Sequence, residues 1–408
     1  MICLLDKSLC CGCGACRSIC PKHCIGMKED AEGFLYPEID TVNCVDCGLC
    51  EKVCPVRNQA ESKWPSKVYA AVNSNEDVRR YSSSGGVFTV LAEKILSEGG
   101  VVFGARFNEH WDVIHDYCET LVGLAAFRGS KYVQSDMGDC YRLAENFLKK
   151  GRKVLFSGVS CQIAGLHRFL RKEYENLLTV DVICHGVPSP LVWRKYVEAI
   201  QACPLGIAGG KWILSSLNEI PVITSITFRD KSTGWKKYSF SVRGHAGGQE
   251  ELNTVFPPRT TKDEIIFREI HHENLFMDGF LKNVYLRPSC YACPAKSGKA
   301  KSDITLGDFW GIENVIPKFD DDGGCSVVLL YKSELLPLLG GVRIEEVAYE
   351  EVRRGNPALE KSATCSVNRN YFFYLLDKEK NLGNIYHLCF DASLMQRIRR
   401  FIFRKYGA

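Results

Sequence analysis

From Val68 onward the chain alternates short apolar runs with segments whose apolar residues recur every three or four positions. The runs VYAAV, VVFGARF and VLFSG have the composition of buried strands. The segments VFTVLAEKILSE, YRLAENFLKK and CQIAGLHRFLRK have the periodicity of helices. Strands that alternate with helices predict an α/β core containing parallel strands.

Residues 205–260 follow a different pattern, in which every second residue is apolar. The segments ITSITFRD and KYSFSVR, separated by glycine-rich and polar stretches, predict an antiparallel β insertion in that core.

The chain ends in LMQRIRRFIFRKY, which predicts a basic amphipathic helix in a C-terminal helical tail. We expect Ile398, Phe401 and Ile402 to share one face. The basic residues around the other faces are Arg397, Arg400, Arg404 and Lys405. Such a helix can dock on an anionic membrane or a partner. Packing against its own domain is the commoner use of an amphipathic helix.

Length, charge and cysteine usage narrow the class of protein. The chain has 408 residues, enough for two or three domains, and a net charge of +4 from 52 basic and 48 acidic side chains spread along it. This balance gives no reason to expect a nucleic-acid partner. Without a signal peptide or a long apolar span, we expect a cytoplasmic protein. In such a compartment its 21 cysteines favour metal binding or redox chemistry over disulfides.

Two cysteine motifs lie near the N-terminus, each with the spacing C-x2-C-x2-C-x3-C-P. Two copies are typical of ferredoxins with two 4Fe–4S clusters, in which the fourth cysteine of each motif binds the other cluster. We predict that cluster one uses Cys10, Cys13, Cys16 and Cys54, and that cluster two uses Cys44, Cys47, Cys50 and Cys20. Zinc also binds C-x2-C pairs, but two sets of four ending in proline exceed what a zinc site needs. Cys3, Cys11 and Cys24 lie outside the pattern and are predicted to be structural.

Four later cysteines could form another site. Cys161 and Cys184 each follow an apolar strand, so we expect both at the carboxyl edge of neighbouring parallel strands. Cys290 and Cys293 add a C-x2-C pair. Four thiolates suit a 4Fe–4S cluster or zinc, and spacing alone leaves a third site open. The remaining cysteines are predicted to be structural: Cys118, Cys140, Cys203, Cys325, Cys365 and Cys389.

The residues Ser82-Ser83-Ser84-Gly85-Gly86 directly precede the helix VFTVLAEKILSE. Free backbone N–H groups at a helix N-terminus can bind a phosphate or pyrophosphate. The alternative is an ordinary serine cap with flexible glycines. No G-x-G-x-x-G follows a strand, so a dinucleotide would not be held in the Rossmann manner.

Together these motifs resemble the coenzyme F420 hydrogenase/dehydrogenase beta-subunit family, fused to an N-terminal dicluster ferredoxin domain. The resemblance runs through SSSGGVFT, GSKYVQSDMGD, VLFSGVSCQIAGL, DVICHGVPSPLVWRKY and SCYACPAKSGKAKSDITLGDFWG. Ser160 stands where methanogen members carry proline, and CHG resembles bacterial members. The fold and the electron chemistry therefore carry over better than coenzyme F420 as a substrate.

The resemblance implies FAD in the core with a third 4Fe–4S cluster beside it, held by Cys161, Cys184, Cys290 and Cys293. The implied flavin contacts are Ser83, Ser84, Gly85, Gly86, Lys131, Tyr132, Gln134 and Ser135. We expect a dicluster domain over 1–60, a linker over 61–68, and a flavin-binding part of the core over 69–150. A cluster-binding part follows over 151–335, and a C-terminal extension over 336–408.

Clusters carry single electrons whereas a flavin exchanges one or two, so we expect an oxidoreductase that links a ferredoxin-like protein or reduced cofactor to a small substrate. The alternative is an electron-transfer subunit that relays charge to a partner protein. His185 and Lys131 are the candidate proton donors, with Asp303 and Asp308 weaker. His185 could instead make a structural hydrogen bond near the cluster.

Overall fold

A computed structural model describes residues 6–202, 221–246, 264–379, 381–390 and 393–406. The helices are α1 (Ala15–Ile19), α2 (Leu49–Lys52), α3 (Glu76–Arg80), α4 (Val87–Ser97), α5 (Leu121–Leu124), α6 (Cys140–Lys149), α7 (Ser160–Leu170), α8 (Pro190–Ala202), α9 (Leu275–Leu281), α10 (Ile312–Val315), α11 (Tyr349–Gly355), α12 (Arg369–Lys378), α13 (Leu382–Phe390) and α14 (Leu394–Tyr406). The strands are β1 (Ile25–Glu29), β2 (Leu35–Ile39), β3 (Lys67–Asn73), β4 (Val101–Phe107), β5 (Val113–Cys118), β6 (Val154–Val159), β7 (Leu177–Val182), β8 (Pro221–Asp230), β9 (Ser239–Ala246), β10 (Glu264–Ile270), β11 (Ile304–Asp308), β12 (Ser326–Leu330) and β13 (Val342–Glu346). Cys3 and Cys203 lie outside the described residues.

The core is an eight-stranded sheet in the order β13-β3-β12-β11-β7-β6-β4-β5. Its four central strands, β11, β7, β6 and β4, are parallel, and the strands on either side pair antiparallel. The predicted α/β fold with parallel strands is therefore confirmed. Strand β13 is part of this sheet although it follows residue 335, where the core was predicted to end.

Helices cover both faces of the sheet, which is why its strands are apolar without alternation. On one face Leu155 of β6 and Val102 of β4 pack with Leu91 of α4. On the other face Phe156 packs with Ile163 of α7. Because neighbouring residues of a strand point to opposite faces, a run such as VLF is buried throughout.

The antiparallel insertion is also confirmed, as a three-stranded sheet in the order β10-β9-β8. Phe228 of β8 and Phe240 of β9 are buried against Trp193 of α8, with ring centroids 5.0 and 6.3 Å from the Trp193 ring. The parts of the predicted insertion at 205–220 and 247–260 lie outside the described residues.

The N-terminal segment contains the β1–β2 hairpin and two short helices, α1 and α2, each of which is preceded by a glycine. Gly14 and Gly48 precede α1 and α2 with φ of 73° and 71°, a left-handed conformation that glycine adopts without strain. The segment packs on α7, where a Cβ at Gly165 would lie 3.0 Å from Sγ of Cys13. The absence of a side chain at 165 brings the first cysteine motif against the core.

The C-terminal tail is helical, as predicted, and of the three residues predicted to form its apolar face only Phe401 has a described side chain. Phe401 is 60% exposed and Arg400 only 9%. Phe403 packs instead, with its ring 5.0 Å from Tyr371 and 4.9 Å from Tyr374 of α12. The aromatic side chains of α12 therefore decide which face of α14 is buried. In the part of the chain that the structure describes, no helix has the length and apolar content needed to cross a bilayer.

Candidate iron–sulfur and flavin sites

A cavity in the N-terminal segment is lined by the four cysteines predicted for cluster two. Cys20, Cys44, Cys47 and Cys50 all border it, together with Cys24. The sulfurs of Cys20 and Cys24 are 3.4 Å apart. Cys24, which the motif spacing excludes, is thus close enough to be a fifth thiol of this cavity.

The four cysteines predicted for cluster one also lie together. Burial, then the charges of Cys10 and Cys54, raise the pKa of the Cys16 thiol to about 12. Cys13 lies beside Cys16 and is buried against α7. Crowded thiols resist deprotonation because neighbouring thiolates repel one another, and bound iron removes that penalty.

The four core cysteines converge from three separate segments. Cys161 begins α7, Cys184 follows β7, and the short 3-10 turn Pro288–Ala292 carries Cys290 and leads to Cys293. Burial and the neighbouring Cys184 raise the pKa of Cys290 to about 12. The backbone N–H of Val187 donates to Sγ of Cys290 at 3.4 Å. Parallel pairing of β6 and β7 brings Cys161 and Cys184 to the same edge, as their positions after strands suggested.

Cys11 connects the first cluster loop with the core cysteines. Its thiol lies within hydrogen-bonding reach of the thiols of Cys13 and Cys161. Cys13 is predicted for cluster one and Cys161 for the core cluster. The thiol of Cys11 therefore lies between one cysteine of each predicted cluster site.

Arg287 fixes the same loop from the core side. It is fully buried, and its Nε donates to the carbonyl oxygen of Cys10 at 2.7 Å while Nη2 donates to the Cys10 sulfur at 3.5 Å. Nη1 donates to Oε1 of Gln134 at 2.8 Å, and Gln134 in turn donates to the carbonyl of Cys11 at 3.3 Å. Motif reading did not select Arg287; its only local signal is a basic residue three positions before Cys290.

Zinc was the rival of iron–sulfur clusters at these cysteines. Among the described residues, no group of three or more His, Cys, Asp or Glu side chains is arranged closely enough to hold one single metal ion. Each set offers four thiols, the donor set that a 4Fe–4S cluster takes. The residues fit such clusters by donor chemistry.

The predicted flavin contacts divide into two groups. Ser83 and the segment that contains Lys131 are joined, since the N–H of Ser130 donates to Oγ of Ser83 at 2.7 Å. Ser84 donates to the carbonyl of Cys325 at 2.9 Å. The N–H of Gly85 donates to Ser326, and Gly86 precedes α4 with no side-chain cap on the helix. These residues form a loop at the carboxyl edge of the sheet.

Gln134 and Ser135 belong to other hydrogen-bond networks. Gln134 bonds Arg287, as described above. Ser135 donates its hydroxyl to Nδ1 of His115 at 2.8 Å, because Nε2 of His115 donates to the carbonyl of Ser157 at 3.0 Å. Gln162 donates to the same hydroxyl at 2.9 Å. Burial lowers the pKa of His115 to about 4, so the ring is neutral.

A buried ion pair lies beside the serine–glycine loop. Arg229 donates from Nη1 to Oδ2 of Asp308 at 2.9 Å and from Nη2 to the carbonyl of Ser83 at 3.3 Å. Its side chain is 3% exposed, yet Nε has no hydrogen-bond partner among the described residues. Trp310 stacks on Trp235 at 4.8 Å, and Trp235 donates to Asp308 at 3.1 Å. From the sequence, Asp308 was only a weaker candidate proton donor, and no sequence pattern selected Arg229.

A second cation contacts the loop. Lys231 donates from Nζ to the carbonyl of Ser84 at 3.0 Å and to that of Gly323 at 2.7 Å. Burial, then the charge of Arg79 and that of Arg229, lowers the pKa of Lys231 to about 8. An unpartnered buried N–H on Arg229, a second cation and an uncapped helix start form a donor set that fits an anionic group of a flavin cofactor.

The candidate proton donors are both half-buried, and each makes hydrogen bonds that hold its side chain. Lys131 donates to the carbonyls of Ala126 at 2.8 Å and Arg128 at 3.0 Å, and burial lowers its pKa to about 7. His185 donates from Nε2 to Oδ1 of Asn283 at 2.5 Å, and burial lowers its pKa. The pKa of Lys131 allows that side chain to exchange a proton near neutral pH.

The ring of Phe280 contacts both His185 and Tyr132, one of the predicted flavin contacts. Its ring lies 5.3 Å from His185 and stacks on Tyr132 at 4.9 Å. Asp303 lies at the opposite edge of the sheet, where it accepts from Thr179 at 2.7 Å and pairs with Lys332 at 2.8 Å. Asp303 therefore has a structural role in the described core.

The fold and the cysteine sets define an iron–sulfur protein with an α/β core. Residues 151–351 match the family model for the C-terminal part of the coenzyme F420 hydrogenase/dehydrogenase beta subunit, and residues 9–58 match the model for a 4Fe-4S dicluster domain. Residues 151–351 therefore belong with the C-terminal part of this beta-subunit family, and the N-terminus carries a dicluster domain. Two 4Fe–4S clusters and an oxidoreductase class follow from these matches.

A solved structure from Methanosarcina barkeri, a xenon derivative of the F420-reducing NiFe hydrogenase complex, contains a chain similar to this one. The two share 15% identity over 80% of this chain and 89% of that chain, with a TM-score of 0.42. No curated protein matches this chain significantly.

Proposed function

We propose that this protein is an iron–sulfur flavoprotein oxidoreductase that passes electrons between its N-terminal clusters and FAD, and reduces or oxidises a small substrate at the flavin. The contact of Cys11 with both Cys13 and Cys161 carries this proposal. Electron transfer weakens steeply with distance, so adjacent cysteine sets favour transfer between the clusters they would hold. The route runs from cluster two through cluster one to a core cluster.

The core cluster would be held by Cys161, Cys184, Cys290 and Cys293. The N–H of Val187 at the sulfur of Cys290 is the kind of hydrogen bond that tunes a cluster's potential. Lys296 donates to the carbonyl of Cys184 at 2.5 Å and so fixes the loop after β7. The four thiols thus come from segments that the sheet and Lys296 hold in position.

FAD, when bound, exchanges electrons singly with clusters and in pairs with an organic substrate. The residues that would hold it are Ser83, Ser84, Gly85, Gly86, Tyr132, Arg229 and Lys231. Arg229 and Lys231 would bind its phosphates, since both contact the loop before α4. Gln134 and Ser135 would act indirectly, by holding the segment that carries Tyr132.

Lys131 and His185 would hold the proton that accompanies a transferred electron pair. The Nζ of Lys131 is directed at two backbone carbonyls, which favour its protonated form against burial. His185 keeps its proton on Nε2 through Asn283, which leaves Nδ1 as the atom that accepts or returns one. The proposal takes Lys131 and His185 as its catalytic residues.

The surface near cluster two favours a protein as the outside electron donor or acceptor. Cys47 is exposed, and the nearby Val42 and Val45 are 92% and 59% exposed. Exposed apolar residues beside a cluster are typical of a docking surface. The same observation supports the second candidate function, in which the chain relays electrons to a partner protein without a substrate of its own.

Metal, sulfide and flavin analysis of anaerobically purified protein tests the proposal. We expect about twelve iron and twelve sulfide per chain with one FAD. A Cys290→Ala/Cys293→Ala variant should lose about four iron, while Cys365→Ala, at an exposed cysteine outside all three sets, should lose none. About eight iron without flavin, unchanged in the double variant, would refute both the core cluster and the flavin enzyme.

A substrate test separates the two candidate functions. An oxidoreductase should oxidise or reduce small electron donors or acceptors at its flavin as an isolated chain. A relay protein should exchange electrons only with a redox protein. Lys131→Met should slow the first activity and leave the second unchanged, because Lys131 is held by the carbonyls of Ala126 and Arg128 and does not line the cluster-two cavity.

A further inference from the structure

A large cavity extends along α7, apart from the serine–glycine loop. Its volume is about 1060 Å³. One wall comes from residues 52–63, another from α7 and the segment up to Leu177, and a third from residues 294–301. Cys161 at the start of α7 and Arg171 just past its end both line it, so it spans the length of this 11-residue helix, about 16 Å.

Positive charge dominates the lining. The eight cationic side chains outnumber the three carboxylates by five, although the whole chain carries only +4. The cations are Lys52, Lys63, Arg168, Arg171, Lys172, Lys299, Lys301 and Lys332, and the carboxylates are Glu173, Glu175 and Asp303. Asp303 is already paired with Lys332 at 2.8 Å. The rest of the chain is close to neutral, so this cavity concentrates the protein's positive potential.

The cavity also has an apolar wall and a ring nitrogen without a partner in the described part of the chain. Val53, Pro55, Ala164 and Leu177 line it beside the cations. His167 faces the same space, and its Nε2 is buried without a hydrogen-bond partner among the described residues. A buried polar atom with no partner usually marks a place for water or a ligand.

We propose that this cavity binds an organic molecule of nucleotide size that bears two or more phosphate groups. The volume is at the upper end of small-molecule sites, too large for an inorganic anion alone. Arginine and lysine together favour phosphate oxygens, and the apolar wall suits an organic portion. Because Cys161 lines the same cavity, the ligand lies beside the core cysteines.

Calorimetric titration of ADP into the flavin-loaded full-length protein tests this inference. We expect ADP to bind, adenosine not to bind, and the affinity to fall as salt is raised. Arg168→Gln/Lys172→Gln should weaken ADP binding about tenfold or more. Lys149→Gln/Lys150→Gln removes the same charge from α6 and the residue after it, outside the cavity, and should leave binding unchanged.

Flavin content of the same variants separates this site from the flavin site. FAD should stay at the level of the unaltered protein in Arg168→Gln/Lys172→Gln. Loss of FAD in that variant would make the cavity the flavin's own phosphate site and overturn the inference. Absence of ADP binding, with only the rate of electron exchange with an acidic redox protein reduced in the variant, would make the cavity a protein-docking surface and also overturn it. Neither result depends on whether a substrate is turned over at the flavin.

Discussion

The guanidinium of Arg287 lies against Cys10, a residue 277 positions earlier in the chain, with Nη2 3.5 Å from the cysteine sulfur. The same side chain donates to the carbonyls of Cys10 and Leu35 at 2.7 and 2.9 Å and lies 4.2 Å from the ring centre of Tyr36. A fully buried cation therefore joins the N-terminal cysteine motif to the core. A positive charge beside a cluster favours its reduced, more negative state.

Arg287→Gln should therefore lower the midpoint potential of one N-terminal cluster by about 60 mV or more. That shift corresponds to about 1.4 kcal/mol for one electron, the lower range for a hydrogen bond to a charged group. Arg287→Lys keeps the charge and should recover most of the shift. A redox titration followed by electron paramagnetic resonance measures both, and equal potentials in all three proteins with full iron content would contradict the assignment.

The non-motif cysteines Cys11 and Cys24 give a second prediction. Cys11 contacts Cys13 and Cys161, and the sulfur of Cys24 lies 3.4 Å from that of Cys20. If motif spacing identifies the ligands, Cys11→Ala and Cys24→Ala should keep all their iron. Cys13→Ala and Cys20→Ala should each lose about four iron atoms per chain. Iron analysis that gives the reverse order for Cys20 and Cys24 would identify Cys24 as the ligand.

Local spacing was enough to predict the N-terminal cysteine sets, because three ligands of each set lie close together in one motif and the repeat of the motif supplies the fourth. Apolar runs likewise predicted the parallel strands that bring Cys161 and Cys184 to one edge. The core set as a whole needed the family resemblance, since Cys290 is 106 residues beyond Cys184. The spacing of residues within a motif gives no information about contacts between residues so far apart in the chain.

Other features depend on tertiary contacts that no local pattern encodes. Arg229 and Asp308 are on different sheets, and neither stands in a motif with the other. Phe403 of α14 packs on Tyr371 and Tyr374 while Phe401 is exposed, and an amphipathic pattern alone did not distinguish these two rings. A basic helix offers more than one apolar stripe, and packing selects between them.

The ion pair between Arg229 and Asp308 gives a third prediction. Arg229→Gln leaves the Asp308 carboxylate, whose side chain is 16% exposed, without an ion-pair partner among the described residues, and removes a donor from the loop at Ser83. Breaking a buried pair costs about 3–5 kcal/mol. We expect a lower thermal midpoint and loss of FAD. Arg268→Gln, which breaks the more exposed pair with Asp230, should keep FAD. Full flavin content in Arg229→Gln would exclude Arg229 from the flavin site.

His115 gives a prediction about pH. Its folded pKa of about 4 lies below the usual value of 6.5. As pH falls below about 6.5, the unfolded chain takes up a proton that the folded chain refuses, so stability present above that pH is lost down to about pH 4. Between pH 7 and pH 5, which includes the upper part of this window, the loss in free energy of unfolding is about 2 kcal/mol.

His115→Gln removes the titrating group and should remove that part of the pH dependence. For a chain of this size, about 2 kcal/mol corresponds to about 2 °C in thermal midpoint. Between pH 7 and pH 5 the midpoint of the unaltered protein should fall by about that much more than the midpoint of His115→Gln. His110→Gln replaces an exposed histidine and should behave like the unaltered protein. Parallel pH profiles for all three proteins would mean that His115 takes up a proton as readily in the folded state as in the unfolded chain, which would contradict the lowered pKa.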